Sequence, residues 1–293
     1  MVLEDLKKTK ISENPLVSVV IPTYNEERDI QSCLDSLKKQ TYKKIEIIIV
    51  DDGSNDKTKE IVKKNGALLL EQEHQGPGKA RNLGVGKAKG EIIILIDADM
   101  SLFEDYIEKI IKPVIKREEI GSIESLQYNK QDTKMQECWG KVVGDEGKKD
   151  RGRSPTTRAI AKKDFLKLGG FDSHYGYADD QTFFYKYGIT FKILDGVKCI
   201  HSTPEDFKGV FKQSRWIGSS TLGKWIKIPI INFLIVLLLY AISPLTIIIL
   251  SIRQLFRIKK FNLIFYMPLF IIARYFGSLE GYLRRIFMNK RIR

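Results

Sequence analysis

EIIILIDADM, from Glu91 to Met100, is the stretch on which the reading of this chain turns. A short β-branched run bounded by polar residues predicts a strand buried on both faces. Asp97 and Asp99 follow at i, i+2, so an extended chain points both carboxylates to one side. Acids at the end of a buried strand are costly unless they are paired or bind something. Paired carboxylates are hard-oxygen ligands for Mg²⁺ or Mn²⁺, and a diphosphate can share such a cation.

Working outward, the pattern repeats. LVSVVIP (Leu16–Pro22), IEIIIVDD (Ile45–Asp52) and ALLLEQ (Ala67–Gln72) read as further strands. Between them, Ile30, Cys33, Leu34 and Leu37 recur at helical spacing, and helices are expected from about Asn55 and from Pro77 to Lys89. Strands alternating with helices predict an α/β fold with a mostly parallel sheet, whose strand ends form the ligand edge. Four signals sit at that edge. PTYNEE (Pro22–Glu27) opens a helix beside Tyr24 and Glu26. VDDGSNDKT (Val50–Thr58) ends a strand with two acids, and Ser54 or Asn55 is placed to cap the next helix. GPGKARNLG (Gly76–Gly84) puts Lys79 and Arg81 at a helix start, where a diphosphate is favoured. The DAD of Asp97–Asp99 is the fourth. No GxxxxGK[ST] string is present, which excludes a Walker loop.

Downstream, Phe103–Arg117 reads as a helix, and the charged, glycine-bearing residues 129–154 as a mobile loop region. Thr156–Asp172 reads as strand, short helix and turn, and ends in GGFD. Asp195-Gly196 within Phe191–Ser202 signals a hairpin. Asp179 and Asp180 are candidates for a general base, since one of two adjacent acids near a charged site has a raised pKa. His201 is a candidate for metal or diphosphate contact. Arg215-Trp216 suits a phosphate, an acceptor path or a membrane interface.

The net charge of +13 is uneven. From Trp225 to Arg293 there are eleven cations and one acid, Glu280, which leaves +3 for residues 1–224. The cations flank two apolar segments. Ile228–Ile252 is free of charge over 25 residues, roughly 37 Å as a helix, and is expected to span a membrane. Phe261–Leu283 carries Arg274 and Glu280, and is expected either to span or to lie in the interface. The cations then face anionic headgroups rather than nucleic acid. Three scattered cysteines argue against a disulfide framework. The first residues lack a signal-peptide core, which places the catalytic part on the cytoplasmic side.

In order and spacing, SVVIPTYNEE, VDDGSNDKT, GKARNLG, DAD and GGFD followed by a doubled acid resemble the family 2 glycosyltransferases with the GT-A fold. The resemblance covers about Val17 to Trp216. It implies a Rossmann-like GT-A sheet flanked by helices. Pro22, Tyr24, Glu26 and Asp52 would hold the nucleoside of a nucleotide-diphosphate sugar. Asp97 and Asp99 would place a divalent metal, and GGFD would border the acceptor. Asp180 aligns with the family's base, with Asp179 as the other candidate. Processive members carry Gln-x-x-Arg-Trp. Lys212 stands at the Gln position here, while Arg215 and Trp216 remain.

The chain therefore reads as an arm (1–15), a GT-A catalytic domain (16–222) and a membrane-anchoring part with one or two transmembrane helices (223–293). The expected activity is inverting, metal-dependent transfer of a sugar to a hydroxyl on a lipid-linked or cell-surface glycan, at the cell membrane. The alternatives are a polyprenyl-phosphate glycosyltransferase and a non-catalytic nucleotide- or nucleic-acid-binding membrane protein.

Overall fold

The computed structural model describes residues 6, 8–129, 131–143, 152–221, 249, 252–253, 261–263 and 265–288. β1 (Val17–Thr23) has β2 (Ile45–Asp51) and β4 (Ile92–Leu95) parallel on either side, and β3 (Leu68–Glu71) extends the sheet beyond β2. Val17 pairs with both Ile45 and Ile92. α1 (Ile30–Lys38), α2 (Thr58–Lys64) and α3 (Pro77–Lys87) supply the crossovers.

Alternate residues of the strands feed two cores. Val17, Val19, Ile21, Ile92 and Ile94 pack with α1 and with α4 (Tyr106–Ile115). Val20, Ile48, Val50, Ile93 and Leu95 pack with Ala80 and Val85 of α3. Burial on both faces is why these strands read as unbroken apolar runs.

The sheet is mixed rather than mostly parallel. Its described strands run in the order β3-β2-β1-β4-β8-β6-β9-β5, with β7 paired to β9. Here β5 is Met100–Leu102, β6 Gly121–Asn129, β7 Arg153–Ser154, β8 Ala159–Ala161 and β9 Phe191–His201. The pairs β4–β8, β6–β8, β5–β9 and β7–β9 are antiparallel. The expected hairpin at Asp195-Gly196 is absent, and one strand runs through it. A two-residue type I′ turn needs positive φ at both residues. Only Gly196 adopts it, at 76°.

The expected loop region also holds a helix, α5 (Lys134–Val143). Its Met135, Cys138 and Trp139 recur at i, i+3, i+4 and are buried. Flanking charges and glycines mask that short period. α6 (Lys162–Lys167) and α7 (Thr182–Tyr187) follow in the chain, separated by a 3-10 stretch, Ser173–Gln181.

The chain divides into two compact units: residues 1–128, 146–175 and 179–202, and residues 129–145, 176–178 and 203–293. In the second, α8 (Phe207–Thr221) and α9 (Tyr266–Met288) lie against each other. Gly277 and Gly281 of α9 meet the backbone of Phe211 and Arg215, and Gly218 of α8 meets that of Ser278. A Cβ at any of these positions would overlap backbone, so the helices approach through glycine. Met267, Phe270 and Ala273 pack with Met135, Cys138 and Trp139 of α5.

Phe261–Leu283 is thus largely accounted for as a packed helix rather than a span. Its two charges have protein partners. The Arg274 guanidinium lies 5.0 Å from the centroid of the Trp139 ring. Glu280 lies between Arg215 (3.5 Å) and Arg284 (2.6 Å). Among the described residues no helix is long and apolar enough to cross a membrane. The other expected span, 228–252, lies outside the described residues except for Ile249 and Ile252.

Candidate active site

The C-terminal ends of the parallel strands carry the acids, and the loops that follow are tied to one another. Asn25 donates its N–H to Ser54 Oγ (2.9 Å), and its Oδ1 accepts from the Asn55 N–H (2.9 Å). Glu26 donates to Thr58 Oγ1 (2.8 Å), and Glu27 and Lys57 add two further bonds. The N-cap position of α2 is Lys57 rather than Ser54 or Asn55, and the turn before it is held by Asp56, whose Oδ1 accepts from the Thr58 N–H (3.0 Å). Those two are used across the loops instead. Pro22 pairs with Val50 in the sheet, and Tyr24 and Glu26 stay half-buried beside it.

Asp52 organises the next loop. It is 2% exposed and accepts from the N–H groups of Gln75 and Gly76, both at 2.8 Å, and from Gln72 Nε2 at 2.7 Å. His74 Nδ1 lies 3.0 Å from its carboxylate, and the His74 ring stacks on Tyr24 with centroids 4.0 Å apart. His74 carried no signal in the sequence, because its partners lie 22 and 50 positions earlier.

Arg81 and Arg158 clamp the first acid of the DAD. Arg81 Nη2 donates to Asp97 Oδ1 (2.5 Å) and Arg158 Nη1 to Oδ2 (3.0 Å). Burial opposes the charge on Asp97, but Arg158, Arg81 and His201 outweigh it and hold the carboxyl well below the usual range. Arg158 also lies 3.7 Å from the fully buried Glu124, which accepts from Tyr106 Oη (2.9 Å). Asp99, two residues on, behaves oppositely. Its Oδ1 is buried, accepts no hydrogen bond and lies 3.4 Å from His201 Nε2. Burial pushes it up to about 6; His201 opposes the rise and Asp97 adds to it.

β5 and β9 bring these groups together, with Met100 paired to His201 and the Ser202 N–H bonded to the Asp99 carbonyl. One ligand atom each from Asp97, Asp99 and His201 lie within 4.8 Å of one another. Two carboxylates and an imidazole, one carboxylate oxygen buried without a donor, fit a divalent cation such as Mn²⁺ or Mg²⁺.

The second pair of acids also divides. Asp179 is 1% exposed and accepts from Arg81 Nη1 (3.0 Å). Gly78 faces it so closely that a Cβ there would come within 2.6 Å of Asp179 Oδ2. The close approach permitted by that glycine is thus used by the chain's own carboxylate. Asp180 is half-buried; burial raises its pKa to about 6, Asp179 adds to the rise and Arg81 opposes it. Asn82, inside GKARNLG, holds GGFD through Nδ2 to the Phe171 carbonyl (2.7 Å) and Oδ1 from the Phe171 N–H (2.9 Å).

Lys79 is exposed on the first turn of α3. Arg215 and Trp216 lie on α8 in the second unit, where Arg215 pairs with Glu280. Arg158, Glu124, Tyr106, His74 and Asn82 were missed in the sequence. Only Asn82 stood inside a motif.

The chain is similar to known glycosyltransferases. The chain is 40% identical over 108 residues to glycosyltransferase AglE of Haloferax volcanii, covering 34% of this chain and 36% of that one. It is 38% identical over 105 residues to glycosyltransferase GlyA of Streptococcus pneumoniae, covering 34% of this chain and 15% of that one. The chain thus spans well under half of the length of these relatives. Two solved structures share the fold. Staphylococcus aureus TarS (residues 1–349) is 22% identical, with a TM-score of 0.51 over 72% of this chain and 66% of that one. The mannosyltransferase PcManGT of Pyrobaculum calidifontis, solved with GDP-Man and Mn²⁺, is 18% identical, with a TM-score of 0.59 over 98% of this chain and 93% of that one. The architecture is a GT-A-like α/β fold. The profile of "Glycosyl transferase family 2" matches residues 18–173. That match takes in Asp52, Asp97 and Asp99 and stops just short of the Asp179–Asp180 pair; with more than half of its length inside it, the chain belongs to glycosyl transferase family 2.

Proposed function

We propose that the protein is an inverting, metal-dependent glycosyltransferase. It moves a sugar from a nucleotide-diphosphate sugar to a hydroxyl of a glycan or lipid-linked acceptor at a membrane. The observation that carries the reading is the split among its acids: Asp97 and Asp179 are held by guanidinium groups, whereas Asp99 and Asp180 are lifted to about 6.

Each group then has one task. Asp99 and His201, with Asp97, would hold a divalent cation. When bound, that cation neutralises charge on the leaving diphosphate. Pro22, Tyr24, Glu26 and Asp52 line the nucleoside end, and His74 joins them through its stack on Tyr24. Arg81 is committed to Asp97 and Asp179, so Lys79 is the cation of GPGKARNLG left to meet the diphosphate.

A sugar hydroxyl is almost fully protonated at neutral pH and needs a base. A base works best with a pKa near the working pH, and Asp180 fits this better than the locked Asp179. Asp180 takes the proton of the acceptor hydroxyl as its oxygen attacks the anomeric carbon in line. The bond to the diphosphate breaks as the new glycosidic bond forms, which inverts the configuration.

We assign this chemistry to residues 16–222, on the cytoplasmic side of a membrane, and contact with lipid to 223–293. The twelve cations of that tail support the assignment. So do Leu269 and Phe276 of α9 and Phe265 just before it, which recur at helical spacing and are exposed. A panel of nucleotide sugars with Mn²⁺ or Mg²⁺ tests the reading. Selective binding and turnover of one donor is expected. No response to any donor, with either metal, would overturn it.

A further inference from the structure

α7 reads TFFYKY, and only one of its four rings enters the core. Phe183 is fully buried against Phe165, Phe171 and Phe191. Phe184, Tyr185 and Tyr187 are 41%, 42% and 47% exposed. Leaving three rings in water on a six-residue helix forfeits burial that similar side chains usually gain, and contiguous exposed aromatics mark a contact surface.

These rings are also ordered by their neighbours. Tyr185 stacks on Tyr175 with centroids 4.8 Å apart and planes at 28°. His174 meets Tyr175 edge-on at 6.0 Å, and Phe184 meets Tyr185 at 5.8 Å and 62°. Tyr185 Oη donates to Gln181 Oε1 (2.9 Å), and Tyr187 Oη to the Leu168 carbonyl (3.3 Å). The array brackets Asp179–Asp180 in the chain, with His174 and Tyr175 before the pair and Phe184 and Tyr185 after it, and the charge of Asp180 reaches the Tyr185 hydroxyl.

Local charge decides the class of ligand. Lys186 is the only cation of α7, and it pairs with Asp172 at 2.9 Å, so this surface is neutral. A phosphate or an anionic headgroup finds no unpaired cation on the helix. A pyranose ring fits: its axial C–H bonds carry partial positive charge and match the negative face of an aromatic ring. The Tyr, His and Gln edges can bond to its hydroxyls.

The geometry points to an acceptor subsite in which the array of His174, Tyr175, Phe184 and Tyr185 holds an uncharged sugar ring of a glycan acceptor beside Asp180. The inference rests on the glycosyltransferase reading and adds to it the class of acceptor and the residues that grip it. Tyr185 is the main contact, and Phe184 walls one side.

Saturation-transfer NMR on the full chain tests it. The probes are the methyl glycosides of glucose, galactose, mannose and N-acetylglucosamine. Binding of UDP-glucose, UDP-N-acetylglucosamine and GDP-mannose with Mn²⁺ is measured on the same samples. At least one glycoside should receive saturation. That signal should fall about 2- to 10-fold in Tyr185→Ala and in Phe184→Ala and persist in Tyr185→Phe, with donor affinity unchanged throughout. Circular dichroism confirms that each variant is folded; if Tyr185→Ala is not, Phe184→Ala and Tyr185→Phe decide. Donor binding with no glycoside signal, or a glycoside signal equal in all variants, would overturn the subsite alone. Loss of vesicle binding in Tyr185→Ala, with phosphatidylglycerol in the vesicles, would reassign the surface to lipid and overturn it too. Absence of donor binding would instead count against the glycosyltransferase reading.

Discussion

The edge of the sheet and the α8–α9 pair hold their charges in different ways. At the sheet edge there are five buried or half-buried acids, Glu124, Asp97, Asp99, Asp179 and Asp180, and two guanidiniums, Arg81 and Arg158, pair with three of them, Asp97, Asp179 and Glu124. Two acids without such a clamp, Asp99 and Asp180, are lifted towards neutrality. In the helix pair, the lone acid Glu280 has two arginines, and the contact itself is glycine against backbone. Surplus negative charge marks the region poised for cations and protons. A single acid held between two cations, with close backbone contact, marks the region built for packing.

The largest expected effect breaks the sheet edge. Asp99→Asn removes the carboxylate with the buried, donor-free oxygen. Transfer should fall on the order of 10³-fold, and calorimetry should show donor binding that no longer responds to Mn²⁺. Arg158→Met should cost about 3 kcal/mol in urea unfolding, because Asp97 and Glu124 keep buried charge with one clamp lost. Arg158→Lys should recover part of that. Gly281→Leu puts a side chain where α9 meets the Arg215 backbone. It should cost about 1–3 kcal/mol, read as a lowered Tm, with donor affinity unchanged. Glu280→Gln should change stability by less than about 1 kcal/mol, since its pairs are part-exposed.

pH sharpens the same contrast. Asp180 acts deprotonated, so transfer should rise as pH increases through about 6 and level off above it. Stability moves the other way. The folded pKa lies above the unfolded value of about 4, so the folded state binds the extra proton. Asp180 therefore weakens the fold above its folded pKa. That penalty fades as pH falls through about 6 and is gone below about 4. Asp180→Asn should remove the share of both trends that Asp180 carries, leaving that of Asp99, which is also lifted to about 6, and it should raise Tm at pH 8.

Much of the sheet edge was legible in the sequence because each acid follows an apolar run. Position alone marked Asp52, Asp97 and Asp99. What was not legible depended on pairing over long separations. Arg158 stands alone before Ala-Ile-Ala and acquires meaning only when β8 lies antiparallel to β4. His74 is one polar residue in a loop until Tyr24 lies under it. The antiparallel half was read only in part: the strand expected at the start of Thr156–Asp172 is β8, but β5 and β7 have three and two residues, too short for a period of two to stand out. In the tail, apolarity suggested a segment over 261–283 that either spans a membrane or lies in its interface. The glycines at 277 and 281 acquire meaning only when α8 lies against them, and the face it presents, Ser214 to Gly218, is indistinct in sequence.

The most direct test of the central claim is the transfer rate of Asp180→Asn with the preferred donor, measured beside that donor's affinity. The expected result is a rate lowered by about 10²- to 10⁴-fold with affinity unchanged. Near-full transfer with affinity intact would contradict the assignment of Asp180 as the base.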